Sequence, residues 1–215
     1  MNFKYAVFDL DGTLLDTQKY WDKTEREVLS RRFNIDMFND ENGNYIPFSG
    51  LREMFELAMK KTGKTISLEE IIDELYDEMR KVYSCSDIST MPKALDFLKA
   101  LKKEGVKTAL ATATDIDVCK PALERLGLLP YLDELVCTKD VGKNKYHPDV
   151  FDRAMELIGG NKEDTMVFED ALYAANTLKS NGYRYTIIEE EGSLCCIDEL
   201  KDGCENYIKS YEELL

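Results

Sequence analysis

The sequence has few of the residues from which transition-metal sites and disulfide frameworks are built. It contains one histidine, His147, and none of its six cysteines is spaced from another as Cys-x-x-Cys. Zinc sites are usually made of cysteine and histidine at such spacings, so a zinc site has little support. The cysteines are typical of buried thiols in a reducing compartment, and we interpret His147 as a loop residue, not a catalytic base.

The sequence is also short of positive charge and of long apolar runs. Its 28 lysines and arginines stand against 42 aspartates and glutamates, which gives a net charge of −14. Such a protein repels nucleic-acid backbones and anionic lipid, and no apolar run approaches the length of a membrane span. The N-terminus lacks the pattern of a signal peptide, because a predicted strand that contains Lys4 begins almost at once. We therefore expect a cytoplasmic monomer without nucleic-acid or membrane partners.

From residue 92 onward, short apolar runs alternate with amphipathic segments. Apolar runs without polar alternation, separated by helices, indicate a parallel sheet that is covered on both faces. The predicted fold class is therefore α/β, with a doubly wound parallel sheet. Strands are expected at 106–111, 134–137, 165–168 and 184–188 and helices at 118–126, 150–158 and 172–180, followed by a helix, a short strand near 207–208 and a last turn.

The segment that follows the first strand has a different pattern. Apolar residues recur at helical spacing around 20–29, 51–61 and 67–83, whereas the composition of 36–48 is typical of a loop. We therefore predict two domains, an α/β core formed by 1–15 and 88–215 and an all-helical domain, 16–87, inserted into it.

The first predicted strand ends on the run Asp9-Leu10-Asp11-Gly12-Thr13. Side chains alternate along an extended chain, so the carboxylates of Asp9 and Asp11 lie on the same side. Two carboxylates this close repel unless a cation lies between them or one is protonated, and Mg²⁺ prefers oxygen ligands. The run therefore indicates a magnesium site; the alternative is an Asp-Gly turn that only caps a strand.

Polar residues also follow the other predicted strands. Thr112, Lys145 and the pair Glu169-Asp170 come after the second, third and fourth strands of the sequence. Ligands of doubly wound sheets bind at the carboxyl ends of the strands, so we expect these side chains to converge on Asp9 and Asp11. A hydroxyl, an ammonium and further carboxylates are the groups that metal-assisted phosphoryl transfer requires.

These four motifs, in this order, resemble those of the haloacid dehalogenase (HAD) superfamily, in its phosphatase and β-phosphoglucomutase-like branch with an inserted helical cap of the C1 type. The resemblance implies that Asp9 is the nucleophile, forming an aspartyl-phosphate, and that Asp11 is the general acid/base. It implies a Mg²⁺ site formed by Asp9, Asp11 through its backbone carbonyl, Asp170 and Glu169.

The resemblance also implies a phosphate-binding set. Thr112 would bind phosphate through its hydroxyl, with Ala113 and Gly12 beside it, and Lys145 would supply a fixed positive charge. Lys143 competes for this last role, but Lys145 fits the family spacing Lys-x-x-Pro-Asp-hydrophobic-Phe.

The sequence departs from the family pattern at three positions near the motifs. Ala171 and Ala174 stand where this branch usually has Ser and Gly after the Glu-Asp pair, and Tyr146 replaces a common proline. Within the predicted cap, Arg52 and Trp21 are the candidates for contact with substrate. The alternatives are an exposed helix-surface arginine and a packed aromatic residue.

The motifs separate several reactions. Dehalogenases and phosphonate-cleaving members lack the second aspartate, so Asp11 favours phosphate-ester chemistry. We predict an enzyme, a Mg²⁺-dependent phosphatase that hydrolyses a small phosphorylated metabolite. A β-phosphoglucomutase-like mutase is the first alternative, although such mutases usually carry His where Trp21 stands. A catalytically silent phosphate-binding or regulatory protein is the second.

Overall fold

The computed structural model describes residues 1–46, 51–84 and 87–215, apart from the side chain at 195. Its sheet has six strands in the order β3-β2-β1-β4-β5-β6, and every neighbouring pair is parallel. The predicted doubly wound parallel sheet is therefore confirmed. The strands are β1 (Tyr5–Phe8), β2 (Lys107–Thr112), β3 (Glu134–Cys137), β4 (Thr165–Glu169), β5 (Arg184–Ile188) and β6 (Asn206–Ile208).

Helices flank the sheet and also form the segment inserted after β1. Those of the described residues are α1 (Gln18–Phe33), α2 (Leu51–Thr62), α3 (Leu68–Ser84), α4 (Ala94–Lys103), α5 (Ile116–Arg125), α6 (Thr138–Val141), α7 (Asp149–Leu157), α8 (Leu172–Ser180) and α9 (Ile197–Lys201). None of them is both long and apolar enough to cross a membrane.

The central strands β1, β2 and β4 are buried over most of their length because both faces of the sheet are covered. All of β4 is buried, and so are the last three residues of β1 and the last five of β2. In the register of the sheet, Phe8 pairs with Leu110 on one side and with Phe168 on the other. This register brings the residues that follow β1, β2 and β4 to one edge of the sheet.

The chain divides into two compact units. The core unit comprises Met1–Thr17 and Ser86–Leu215, and the helical unit comprises Gln18–Cys85. In the core unit, the two segments that lead into and out of the helical unit pair with each other. Asp16 donates its N–H to the carbonyl of Ser89 at 3.0 Å, and Met91 donates to Leu14 at 2.9 Å.

The helical unit has its own apolar core between α1, α2 and α3. Phe33 packs edge-on against Phe55 there, with ring centroids 5.8 Å apart. The predicted loop 36–48 is irregular as far as residue 46, apart from an isolated bridge between Asn39 and Tyr45. Residues 47 and 48 lie outside the described residues.

Candidate active site

A buried ion cluster lies where β1 and β4 end. The ammonium of Lys145, which is 2% exposed, donates a hydrogen bond to Asp9 Oδ1 and another to Glu169 Oε1, the latter at 2.7 Å. Asp170, next in the chain, is buried as well. The structure thus brings together four of the predicted site residues, which come from three separate parts of the sequence.

The turn after β1 is fixed by its own backbone. The N–H of Asp9 donates to the carbonyl of Phe168 and so extends the pairing of β1 with β4. Gly12 has a φ of 86°, a left-handed conformation that glycine adopts without strain, and its N–H donates to Leu15 at 2.8 Å. In this structure Gly12 therefore shapes the turn that presents Asp11.

Both carboxylate oxygens of Asp11 accept hydrogen bonds from threonine hydroxyls. Thr17 donates to Oδ1 at 2.5 Å, and Thr114 donates to Oδ2 at 2.8 Å. The bonds of these two hydroxyls to Asp11 were not predicted from the sequence. Two sequence features could have pointed to these hydroxyls. Thr17 comes directly after the first motif, and Thr114 lies two residues after Thr112.

Thr112 is fully buried at the end of β2, and its hydroxyl oxygen accepts the N–H of Thr114 at 3.0 Å. Its hydroxyl hydrogen remains available for a phosphate oxygen, since a hydroxyl both donates and accepts. The adjoining Ala113 accepts a hydrogen bond from Thr138 through its carbonyl at 3.3 Å. Lys143 is placed elsewhere, in a half-exposed pair with Asp149 at 2.9 Å.

Asp170 and Glu169 have different partners. Glu169 Oε2 accepts the N–H groups of Asp170 and Ala171, so both of its oxygens are bonded. Asp170 Oδ1 accepts the hydroxyl of Thr13 at 2.9 Å, whereas its Oδ2 is buried without any hydrogen-bond partner. A buried charged oxygen left unpaired is costly, so Asp170 Oδ2 marks the place for a further positive group.

The electrostatics of the cluster also indicate missing positive charge. Burial raises the pKa of Asp9 to about 7, with Glu169 and Asp11 adding to the rise and Lys145 opposing it. Burial and the carboxylates of Glu169 and Asp9 raise the pKa of Asp170 well above its ordinary value. Burial disfavours the ammonium of Lys145, but Asp9 and Glu169 outweigh burial and raise its pKa. One ammonium therefore does not balance the carboxylates around it.

The residues present fit a hard divalent cation. One carboxylate oxygen from each of Asp9, Glu169 and Asp170 lies within 4.8 Å of the others, and all three residues are buried. Oxygen-only ligands suit Mg²⁺, and the unpaired oxygen of Asp170 gives it a ready ligand. Glu169, whose oxygens are both bonded, is better placed to orient its neighbours than to bind the ion directly.

The two predicted substrate residues make contacts inside the helical unit. Arg52 is 78% exposed and lies 4.0 Å from Glu56 on the same helix. Trp21 donates its indole N–H to the hydroxyl of Tyr83 at 3.1 Å and packs edge-on against Tyr76. Arg52 thus has the contacts of an exposed helix-surface arginine, and Trp21 has those of a packed aromatic residue. A role in substrate binding stays a prediction for both residues.

The family of haloacid dehalogenase-like hydrolases matches residues 6–188. The chain belongs to this family. A phosphorylated carbohydrates phosphatase of Thermotoga maritima is 27% identical over 180 residues, which are 82% of this chain and 81% of that protein. A phosphoglycolate phosphatase of Aquifex aeolicus is 27% identical over 167 residues, 78% and 76% of the two chains.

The solved structures show the same fold. A variant of CbbY from Rhodobacter sphaeroides in complex with xylulose-(1,5)bisphosphate superposes with a TM-score of 0.78 at 20% identity, covering 99% of this chain and 96% of that one. Because the family is one of hydrolases and its similar members are named phosphatases, the chain is a HAD phosphatase.

Two of the departures from the HAD pattern have visible consequences in the structure. Ala174 lies in α8 and is fully buried in the apolar core, so its methyl group is accommodated by packing. Tyr146 is exposed and stacks on Tyr173, with ring centroids 4.9 Å apart. Neither change removes a polar group from the ion cluster.

Proposed function

We propose that this HAD phosphatase hydrolyses a small phosphate monoester in a Mg²⁺-dependent reaction that passes through an aspartyl-phosphate on Asp9. The observation that carries the proposal is the buried cluster in which Lys145 bonds Asp9 and Glu169 while Asp170 Oδ2 has no partner. A nucleophile, a fixed cation and an open metal ligand are thereby combined in one place.

In the first step an oxygen of Asp9 attacks phosphorus, a bond from phosphorus to Asp9 forms, and the bond to the leaving oxygen breaks. Lys145 holds Oδ1 of Asp9, which leaves Oδ2 for the attack. The hydroxyl of Thr112 and the ammonium of Lys145 stabilise the charge on the phosphoryl oxygens. Mg²⁺, held by Asp9 and Asp170, would neutralise the charge of nucleophile and phosphate when bound.

Asp11 moves the proton in both steps. In its protonated form it gives a proton to the leaving alcohol oxygen, and as a carboxylate it then takes a proton from the water that attacks the aspartyl-phosphate. This water releases phosphate and restores Asp9. The partners of Asp11 suit both forms, because the hydroxyls of Thr17 and Thr114 can donate to the carboxylate or turn to accept from the acid.

The names of the relatives support a small phosphorylated metabolite as substrate, since one is named for phosphorylated carbohydrates and another for phosphoglycolate. Arg52 and Trp21 remain the candidates for substrate selection. Mutase activity is the second candidate function, favoured by the similarity of fold to a β-phosphoglucomutase-like structure of Thermotoga maritima, with a TM-score of 0.69 at 24% identity.

The test is the release of nitrophenol from p-nitrophenyl phosphate with Mg²⁺ and with EDTA. We expect wild-type turnover that EDTA abolishes, and a loss of more than about a thousandfold in Asp9→Asn. Asp164→Asn is the matched control, because Asp164 bonds Lys4 and Asn161 on the surface and should leave turnover unchanged. Undiminished release by Asp9→Asn would refute the proposal.

A second measurement separates the two reactions. The enzyme is incubated with a hexose 1-phosphate and followed by phosphorus NMR. Free phosphate is the expected product. Accumulation of the hexose 6-phosphate would instead establish the mutase alternative.

A further inference from the structure

A fully buried tyrosine lies beneath the two acidic turns of the active site. Tyr211 is 0% exposed, and its ring stacks on Phe97 with centroids 5.1 Å apart. The same ring packs against Phe8 and Phe168, at 6.4 and 5.9 Å. These two phenylalanines directly precede Asp9 and Glu169, so Tyr211 contacts the base of both catalytic segments.

The hydroxyl of Tyr211 is joined to the cation site by two hydrogen bonds. It donates to the carbonyl of Thr13 at 3.2 Å, and the hydroxyl of Thr13 donates to Asp170 Oδ1 at 2.9 Å. Tyr211, Thr13 and Asp170 are all buried, so water does not compete for these bonds. The other oxygen of Asp170 is the one without a partner.

The backbone at Tyr211 holds the neighbouring segment as well. The N–H of Tyr211 donates to the carbonyl of Pro92 at 3.1 Å, and Met91, next to Pro92, donates to Leu14 at 2.9 Å. The catalytic turn is thus bonded at Thr13 by the side chain of Tyr211 and at Leu14 by a segment that the backbone of Tyr211 holds. Such a double attachment restricts the rotation of the Thr13 peptide.

We infer that Tyr211 is a positioning residue for the cation site, an inference that rests on the proposed function. By holding the Thr13 carbonyl it fixes the Thr13 hydroxyl against one oxygen of Asp170, and the remaining oxygen is left in place for Mg²⁺. Residues that orient the ligands of a metal generally affect its affinity, even without contact to the ion.

The phenol keeps its proton under all working conditions. Burial and the carboxylates of Asp9, Asp170 and Glu169 raise the pKa of Tyr211 well above its ordinary value. Tyr211 is therefore a permanent donor, and a phenylalanine in its place removes one hydrogen bond while keeping the ring and its packing.

The chain offers a matched control in Tyr185. Its side chain is 1% exposed, and its hydroxyl donates to the backbone carbonyl of Asp202 at 3.1 Å. Tyr185→Phe therefore removes the same kind of bond from an equally buried ring. Asp202 is an exposed residue in the turn after α9, paired with Lys179, and the site residues are not among its partners.

The experiment measures the rise in melting temperature with Mg²⁺ concentration, without substrate, for wild type, Tyr211→Phe and Tyr185→Phe. A ligand that binds only the folded state raises this temperature, so the titration gives an apparent affinity. We expect Tyr211→Phe to bind Mg²⁺ about threefold to tenfold more weakly, because it loses one hydrogen bond that holds Thr13 and, through Thr13, the metal ligand Asp170. The affinity of Tyr185→Phe should equal that of wild type.

Kinetics supply a second measurement. The Mg²⁺ concentration for half-maximal hydrolysis of p-nitrophenyl phosphate should rise by the same factor in Tyr211→Phe, whereas KM for the ester at saturating Mg²⁺ should not change. An unaltered Mg²⁺ affinity in Tyr211→Phe, or an equal loss in Tyr185→Phe, would overturn this inference alone. A wild-type protein that does not respond to Mg²⁺ would overturn it together with the proposed function.

Discussion

The core unit and the helical unit each bury a basic side chain, but they complete its surroundings differently. In the core unit, Lys145 lies among three carboxylates, and one oxygen of Asp170 has no partner. In the helical unit, Arg26 is 1% exposed and donates to both oxygens of Asp22, each at 2.9 Å.

Arg26 also donates hydrogen bonds to the segment that follows α1. Its Nη1 donates to the carbonyls of Met37 and Ile46, both at 2.9 Å, and its guanidinium lies 4.3 Å from the ring centroid of Tyr45. Its ion-pair partner Asp22 is 46% exposed, and the carboxyl of Glu25 lies near both. A buried cation whose partner reaches solvent and whose other donors bond backbone carbonyls holds a fold together, whereas several fully buried carboxylates around one ammonium indicate a site that is completed by a ligand.

The strongest test of the comparison removes the cation of the core cluster. Lys145→Met leaves Asp9 and Glu169 buried without their ammonium, so we expect a loss of about 3–5 kcal/mol in the free energy of unfolding, measured by urea denaturation at pH 8. Lys143→Met is the matched control two residues away, because its half-exposed pair with Asp149 should contribute no more than about 1 kcal/mol. Equal losses in the two variants would contradict the picture of a buried cluster.

Replacing the buried cation of the helical unit, Arg26, by methionine should lower the free energy of unfolding somewhat less. Arg26→Met leaves the carbonyls of Met37 and Ile46 without their donor. A buried unpaired carbonyl such as that of Met37 costs about 1–3 kcal/mol, and the half-buried carbonyl of Ile46 costs less. We expect a total loss of about 3 kcal/mol and faster amide hydrogen exchange in residues 36–46. Arg31→Met is the control, since Arg31 is exposed in its pair with Glu74. Unchanged exchange in the loop would show that Arg26 does not hold it.

The core unit could be predicted from the sequence in its strands and in the place of its site, but not in its long-range contacts. The sheet follows from apolar runs between helices, and the convergence of Asp9, Lys145 and Glu169 follows from the rule that ligands bind at the strand ends. The contacts of these residues follow from neither. Thr13 reaches Asp170 across 157 residues of sequence and Tyr211 reaches Thr13 across 198, and no local pattern encodes such pairs.

The helical unit was less predictable in its detail. Its three helices follow from apolar periodicity, but nothing in the residues around Arg26 indicates that it is buried, since most arginines are exposed. Its burial depends on carbonyl groups 11 and 20 residues away, in a loop that has no regular structure. Contacts of this kind become visible only when the fold is known.

The next largest change in stability is expected when the metal-free protein is titrated with pH. The pKa of Asp9 is raised from 3.8 to about 7, so in the folded state Asp9 keeps a proton that the unfolded chain has lost. Folding then becomes less favourable as the pH rises from about 4 to about 7. In EDTA we expect the melting temperature of wild type to fall over this interval more steeply than that of Asp9→Asn. Parallel curves would show that Asp9 ionises normally.

The smallest change in stability is expected for a substitution of Glu25, which lies on α1 of the helical unit. Burial raises the pKa of Glu25 to about 7, Asp22 raises it further, and Arg26 lowers it. The sign is therefore the same as for Asp9, and the free energy of unfolding decreases as the pH rises from about 4.5 to about 7.

Glu25 keeps some contact with solvent, unlike Asp170, and the proposed reaction does not use it. Glu25→Gln should raise the stability at pH 8 by less than about 1 kcal/mol and leave Mg²⁺ affinity unchanged. A change in Mg²⁺ affinity in this variant would mean that Glu25 contributes to the cation site, and the contrast between the two units would then fail.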